Sequence, residues 1–275
     1  MHRMKNLSQL IRYTLVLPFV TFILVSTPVQ SMTVERAEEL SARYTSKQFI
    51  DRLLGQFTLD DAHESVLREH FTVYYSNVKF LQKLFTEVEE SKVAGGDPAR
   101  AVVQNLSARW MYGGLRLIPY EQQLHYFTYM RNLMEVVSPS ECRFLITGAS
   151  TEKLQNNQSI EIKYFNAVEV AILKNYLQMQ RVALESFVSG VALQQEISNE
   201  QREIAKQSIA AELNVLLSQH RSSDELKEVW RDGGRATDAQ ACELGKVVME
   251  VFLRGDSDTN RLQVQHYLER YTYKE

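Results

Sequence analysis

Between Leu67 and Val88 the apolar residues Leu67, Phe71, Tyr74, Val78, Leu81, Phe85 and Val88 recur at alternating steps of four and three. This spacing gathers them on one face of an α-helix, whereas a strand alternates faces at every residue and scatters them. The run predicts one long helix, opened near Asp60-Asp61, whose continuous seam has to be buried against a partner. Strand signals are almost absent elsewhere: no Asn-Gly or Asp-Gly turn joins two alternating runs, and no period-two pattern is sustained. The chain is therefore expected to be all-α.

Punctuation along the sequence divides it into further helices. Val34 to Leu54 reads as a first helical stretch with Gly55 as its stop. Gly95-Gly96-Asp97-Pro98 places two breakers before an acceptor cap and a first-turn proline, so a helix is expected from Pro98 through Trp110 toward Gly113-Gly114. Pro119 precedes another, ending near Val137, and Ser138-Pro139-Ser140-Glu141 combines a capping box with proline at the first helical position. Residues Ala149 to Ser159 are polar and form the expected connection between two helical halves, 32–148 and 149–275, packed as one domain. The next helix is the most apolar: Val168, Ile172, Tyr176, Met179, Ala183 and Phe187 mark one stripe, and Val170, Leu173, Leu177, Leu184 and Val188 another, which predicts a central position. Ser198 with Gln201 starts a helix to about Gln219, followed by starts at Ser223, near Thr237 and near Asp256. The sum is an irregular antiparallel bundle of about eight to ten helices, with no internal repeat.

The N-terminus carries an address. Arg3, Lys5 and Arg12 precede an uncharged apolar stretch from Tyr13 to Val25, and Val29 and Ser31 suit cleavage before Met32. This is the plan of a secretory signal over residues 1–31. The competing reading is a retained anchor, since the charge-free interval runs to Val34, although Pro18, Pro28, Gln30 and Ser31 weaken it. Either way the basic end stays in the cytoplasm and the body lies across the membrane. Removing 1–31 leaves 28 Lys plus Arg against 34 Asp plus Glu, a balance of −6 that offers no footprint for nucleic acid. Membrane contact is expected only through the N-terminal segment, if it is uncleaved.

An exported body makes the two cysteines informative. Cys142 and Cys242 both stand in the first turn of an expected helix, and an oxidising compartment invites a bridge between them. The alternative is two buried free thiols. A bridge closes a loop of about 100 residues, for which chain entropy allows at most roughly 4–5 kcal/mol.

Catalytic and ligand-binding signatures are weak. His63-Glu64 and Glu69-His70 place two histidines seven residues apart, roughly 10.5 Å along a helix, too far for one zinc ion; surface histidines are the simpler reading. Neither a serine-hydrolase pentapeptide nor a phosphate loop occurs, and Gly113-Gly114 and Gly233-Gly234 read as helix ends. Acids cluster at Asp60-Asp61 and at Glu87, Glu89 and Glu90, but as helix caps and solvated faces rather than as a pair across a groove. No cofactor and no metal site is expected. Two candidate surfaces remain. Arg109, Trp110, Tyr112, Arg116 and Tyr120 form a partner surface if their rings are exposed, although core packing explains most such aromatics. Lys174, Gln178, Arg181 and Glu185 form a polar strip on the apolar helix. The expected function is a non-enzymatic interaction protein of the cell envelope, periplasmic in a bacterium and bound to an envelope protein: an adaptor, a chaperone-like factor or an immunity protein. The alternatives are a peptidoglycan-acting enzyme with dispersed carboxylates and a membrane-anchored structural component.

Overall fold

The computed structural model describes residues 32–90, 106, 109–147, 163–191, 196–231, 236–255 and 257–269. Every regular element among them is helical, as expected, but there are twelve helices rather than eight to ten. Two segments read as single helices are each broken by a side-chain cap. Val34–Tyr44 (α1) and Lys47–Leu54 (α2) are separated because the Ser46 hydroxyl accepts the Phe49 N–H and opens a new helix. Asp61–Ser76 (α3) and Val78–Glu90 (α4) flank Asn77, whose ψ of 88° leaves the helical range and whose Oδ1 accepts the Phe80 N–H at 3.0 Å. The apolar seam is thus split between two helices. Leu67, Phe71, Tyr74, Leu81, Phe85 and Val88 are buried all the same, and only Val78, at the break, is half-buried.

The other α-helices are α5 (Tyr120–Val136), α6 (Pro139–Thr147), α7 (Val170–Val188), α8 (Asn199–Gln219), α9 (Ser223–Arg231), α10 (Asp238–Leu253) and α11 (Asp258–Leu268). A 3-10 helix spans Phe165–Ala167, and residues 109–115 are also helical. Local caps set many of the starts. The Ser138 N–H donates to the Glu141 carboxylate at 3.1 Å with Pro139 opening α6, and capping boxes at Ser198 and Thr237 open α8 and α10. The N-terminal segment 1–31, the expected start at Pro98, the 149–159 connection and Gly233-Gly234 lie outside the described residues. No described helix is long and apolar enough to cross a membrane.

The described residues fall into two compact units, and neither is continuous in sequence. The first comprises 32–118 with 169–191, the second 119–168 with 196–269, so each takes residues from both sides of the 149–159 stretch.

In the first unit α3 packs on α1, α2 and α7, and α4 packs on α1 and α7. Its core is a file of rings: Tyr44 meets Tyr75 at 5.7 Å, Tyr75 meets Tyr74, Tyr74 meets Phe80 at 4.6 Å, Phe80 meets Trp110 and Trp110 meets Phe187. Burial pushes the Tyr44 hydroxyl up to about 12 and raises that of Tyr75 as well. Gly113 and Gly114 lie inside the helical stretch, not beyond its end as the sequence suggested. They are small because α7 lies against them: a Cβ on Gly114 would collide with the Ala183 backbone, and one on Gly113 would stand 2.6 Å from the Phe187 ring.

The second unit is organised around α10, which packs against α5, α6, α8, α9 and α11. The sequence gave centrality to α7 instead. Eight of the sixteen residues of α10 are buried, against seven of the nineteen of α7. Gly245 lets the Ile146 side chain of α6 lie directly against the α10 backbone. A few residues earlier Cys142 and Cys242 are joined in a disulfide, their Cα atoms 5.4 Å apart and both buried, so the bridged alternative holds and free thiols do not. Phe127, Phe252 and Tyr267 complete the core, with centroids 4.7–5.3 Å apart.

Gly114→Ala is expected to destabilise by about 1–3 kcal/mol or more, since backbone does not yield to overpacking. Gly113→Ala costs less because the Phe187 ring can turn away; comparing the two midpoints of thermal unfolding checks the order. Cys142→Ser with Cys242→Ser, or reduction of the bridge, should lower stability by about 2–5 kcal/mol, read as a fall in denaturant midpoint.

Candidate functional site

Asn77 does more than end α3. While its Oδ1 caps α4, its Nδ2 reaches Glu185 Oε1 on α7 at 3.5 Å. The break therefore sits beside the last turns of α7, which closes with Ser189 and Gly190, the latter at φ +67°. Between these ends the first unit leaves an open groove of about 590 Å³, lined by Val73, Val78, Lys79, Glu185, Val188 and Val191 among others. Val73 and Val191 are 44% and 45% exposed, two of the few large apolar side chains on the described surface. A second depression of about 500 Å³ runs on along α4, sharing Lys79 and Val188 and flanked by Lys83, Glu87 and Glu90. At the groove's floor a hole of about 20 Å³ shares Val73, Asn77 and Glu185 with it and is closed by Tyr74, Phe80, Arg181 and Leu184.

The polar strip on α7 divides at this point. Arg181 and Glu185 border the hole, while Lys174 and Gln178 are exposed on the same helix and do not line it. Arg181 is only 18% exposed; its Nη2 stands 3.9 Å from Glu69 Oε1, and its Nη1 is buried with no hydrogen-bond partner. The aromatic set is not a surface. Trp110 and Tyr112 are buried in the first unit, where the helical stretch carrying them packs on α7, and Tyr120 is buried in the second, its hydroxyl donating to the Gly255 carbonyl at 2.9 Å. Of that set Arg109 is exposed and paired with Glu87 at 3.0 Å, and Arg116 is half-buried. Val73, Asn77 and Val191 escaped sequence reasoning; the polar pair Ser76-Asn77, interrupting the seam, was the available signal.

The histidines and acids are built into the packing. His63 and His70 are both buried rather than on the surface. His63 Nδ1 lies 2.7 Å from Asp60 Oδ2, and the same carboxylate caps α3. His70 packs against Phe71 and Tyr74 with no partner on either ring nitrogen. Burial and then the Arg181 charge hold it down at about 3, despite the favourable Leu177 carbonyl nearby. Glu87 pairs with Lys83 and Arg109, and Glu89 accepts the Met32 N–H at 3.2 Å. In the second unit the Glu141 carboxylate is buried yet held down at about 2: burial opposes its charge, but hydrogen bonds from Lys163 at 2.7 Å and from Ser138 and Tyr164 at 2.6 Å outweigh it. These bonds tie Lys163 and Tyr164, just before the 3-10 helix, to the start of α6. No group of three or more metal-ligating side chains gathers among the described residues.

No protein-family model, curated protein or solved structure matches the chain.

The two perturbed groups fix a pH response. His70 binds its proton at 6.5 when unfolded and near 3 when folded, so stability falls as pH drops from about 6.5 toward 3. Glu141, at 4.5 unfolded and near 2 folded, removes a further share as pH drops from about 4.5 toward 2. In urea melts across this range, His70→Leu should flatten the dependence between pH 6.5 and 4.5, and Glu141→Gln should flatten only the steeper part below 4.5.

Proposed function

We propose that this chain is a non-enzymatic interaction protein of the cell envelope, exported to the far side of the membrane, which in a bacterium is the periplasm. The groove beside the α3–α4 break carries the reading: two exposed valines and two more apolar walls are set between Lys79 and Glu185, the makeup of a surface with an apolar centre and a charged rim. The acids and histidines that stand out in the sequence serve as caps, ion pairs and core. The Cys142–Cys242 bridge supports the location, because such bonds persist in oxidising compartments. The adaptor, chaperone-like and toxin-masking roles are forms of this one activity, and each requires a partner to cover the groove.

The test is site-specific crosslinking in cells. A photoreactive residue at position 73, with a C-terminal tag that leaves export undisturbed, should capture one stoichiometric envelope protein. The same residue at position 215, an equally exposed valine on α8, should not. Capture at neither position, or the same proteins from both, would sink the proposal.

A further inference from the structure

We infer that the groove takes a short, uncharged aliphatic peptide segment and reads its backbone, Arg181 donating to a peptide carbonyl and Glu185 accepting a peptide N–H. This deepens the interaction reading and rests on it.

Arg181 supplies the need for an acceptor. Its Nη1 is shielded from solvent without a partner, and Glu69, at 3.9 Å from Nη2, is beyond hydrogen-bond length. The hole it borders, about 20 Å³, has room for one oxygen-sized group and opens into the groove through shared walls. A carbonyl oxygen entering there meets the guanidinium. The complementary acceptor is Glu185, exposed on the rim and held only by Asn77 Nδ2 at the outer limit of 3.5 Å among its printed bonds.

Charge and shape then select the occupant. Arg181 and Lys79 are balanced by Glu69 and Glu185, so the site offers no net field to an anion or a cation, whereas a peptide unit brings the one donor and one acceptor it lacks. Val73, Val78, Val188 and Val191 supply walls for aliphatic side chains. From Arg181 to Val188 α7 rises roughly 10.5 Å, which matches about three residues of extended chain.

The probe is acetyl-Val-Ala-Val-N-methylamide, titrated by calorimetry into the exported chain with its disulfide intact. Saturable one-to-one binding is expected. Arg181→Met should weaken it about tenfold, the loss of one hydrogen bond from a charged donor. A backbone N-methylated analogue with the same side chains should weaken similarly against the unaltered protein, which keeps the test valid if Arg181→Met misfolds. Val73→Asp should abolish binding and Val215→Asp leave it unchanged. Equal binding of the N-methylated analogue, tighter binding of acetyl-Asp-Ala-Asp-N-methylamide, or no saturable binding of the probe would each overturn the inference. A single partner captured from position 73 alongside any of those results would leave the interaction reading standing without it.

Discussion

The contact on which the first unit depends is that of backbone against backbone, where Gly114 meets the main chain at Ala183. With no Cβ between them, the 109–115 stretch and α7 lie closer than side chains normally allow. That closeness brings Trp110 against Phe187 and, through Phe80, joins α4 and α3 to the same file of rings. It also fixes Arg181 and Glu185, which flank Ala183 on the same helix. The groove is therefore a by-product of core packing: the main-chain contact that seats α7 also decides where its last turns end, and the break at Asn77 opens beside them.

The second unit solves a different problem. Its hub, α10, carries Glu243, Lys246 and Glu250 between its apolar positions, and it is held from several sides rather than along one stripe. Lys246 reaches both Glu135 and Glu243 at 2.8 Å, and Arg143 reaches Asp238 at 2.9 Å, so the polar residues of α10 are tied into its surroundings. The disulfide joins the first turns of α6 and α10, while Gly245 nearby allows Ile146 to settle onto the helix. One covalent link and one missing side chain together set the distance between these two helices.

Local physics was legible in the sequence and tertiary physics was not. The starts of α3, α6, α8, α9 and α10 could be read because a cap is a bond between near neighbours: Asp60, Ser138, Ser198 and Thr237 each satisfy N–H groups within three residues. Ser46 and Asn77 cap in the same way but lack an adjacent glycine or proline, so periodicity ran straight through them. The aromatic residues around Trp110 have the composition of an interface and of a core alike, and only packing against α7 decides between them. The polar strip was half right for a related reason. Helical periodicity places Lys174, Gln178, Arg181 and Glu185 on one face, but it cannot say that α3 breaks opposite the last two. The central helix was misassigned because two clean apolar stripes on α7 outweighed the diluted pattern of α10, whose Gly245 marks a close neighbour and not a weak helix.

The bridge between Cys142 and Cys242 has a consequence for the order of assembly. A chain delivered across a membrane from its N-terminal end presents every described residue of the first unit, through 191, before Cys242 emerges. Cys142 must meanwhile wait as a lone thiol while α7, which lies within the span the bridge will close, finds its seat against Gly114. The disulfide then closes a ring around a segment that already belongs to the other unit. Oxidation thus comes as a closing latch on a half-built molecule, and premature pairing of Cys142 with a foreign thiol is the hazard that this arrangement leaves to the exporting compartment.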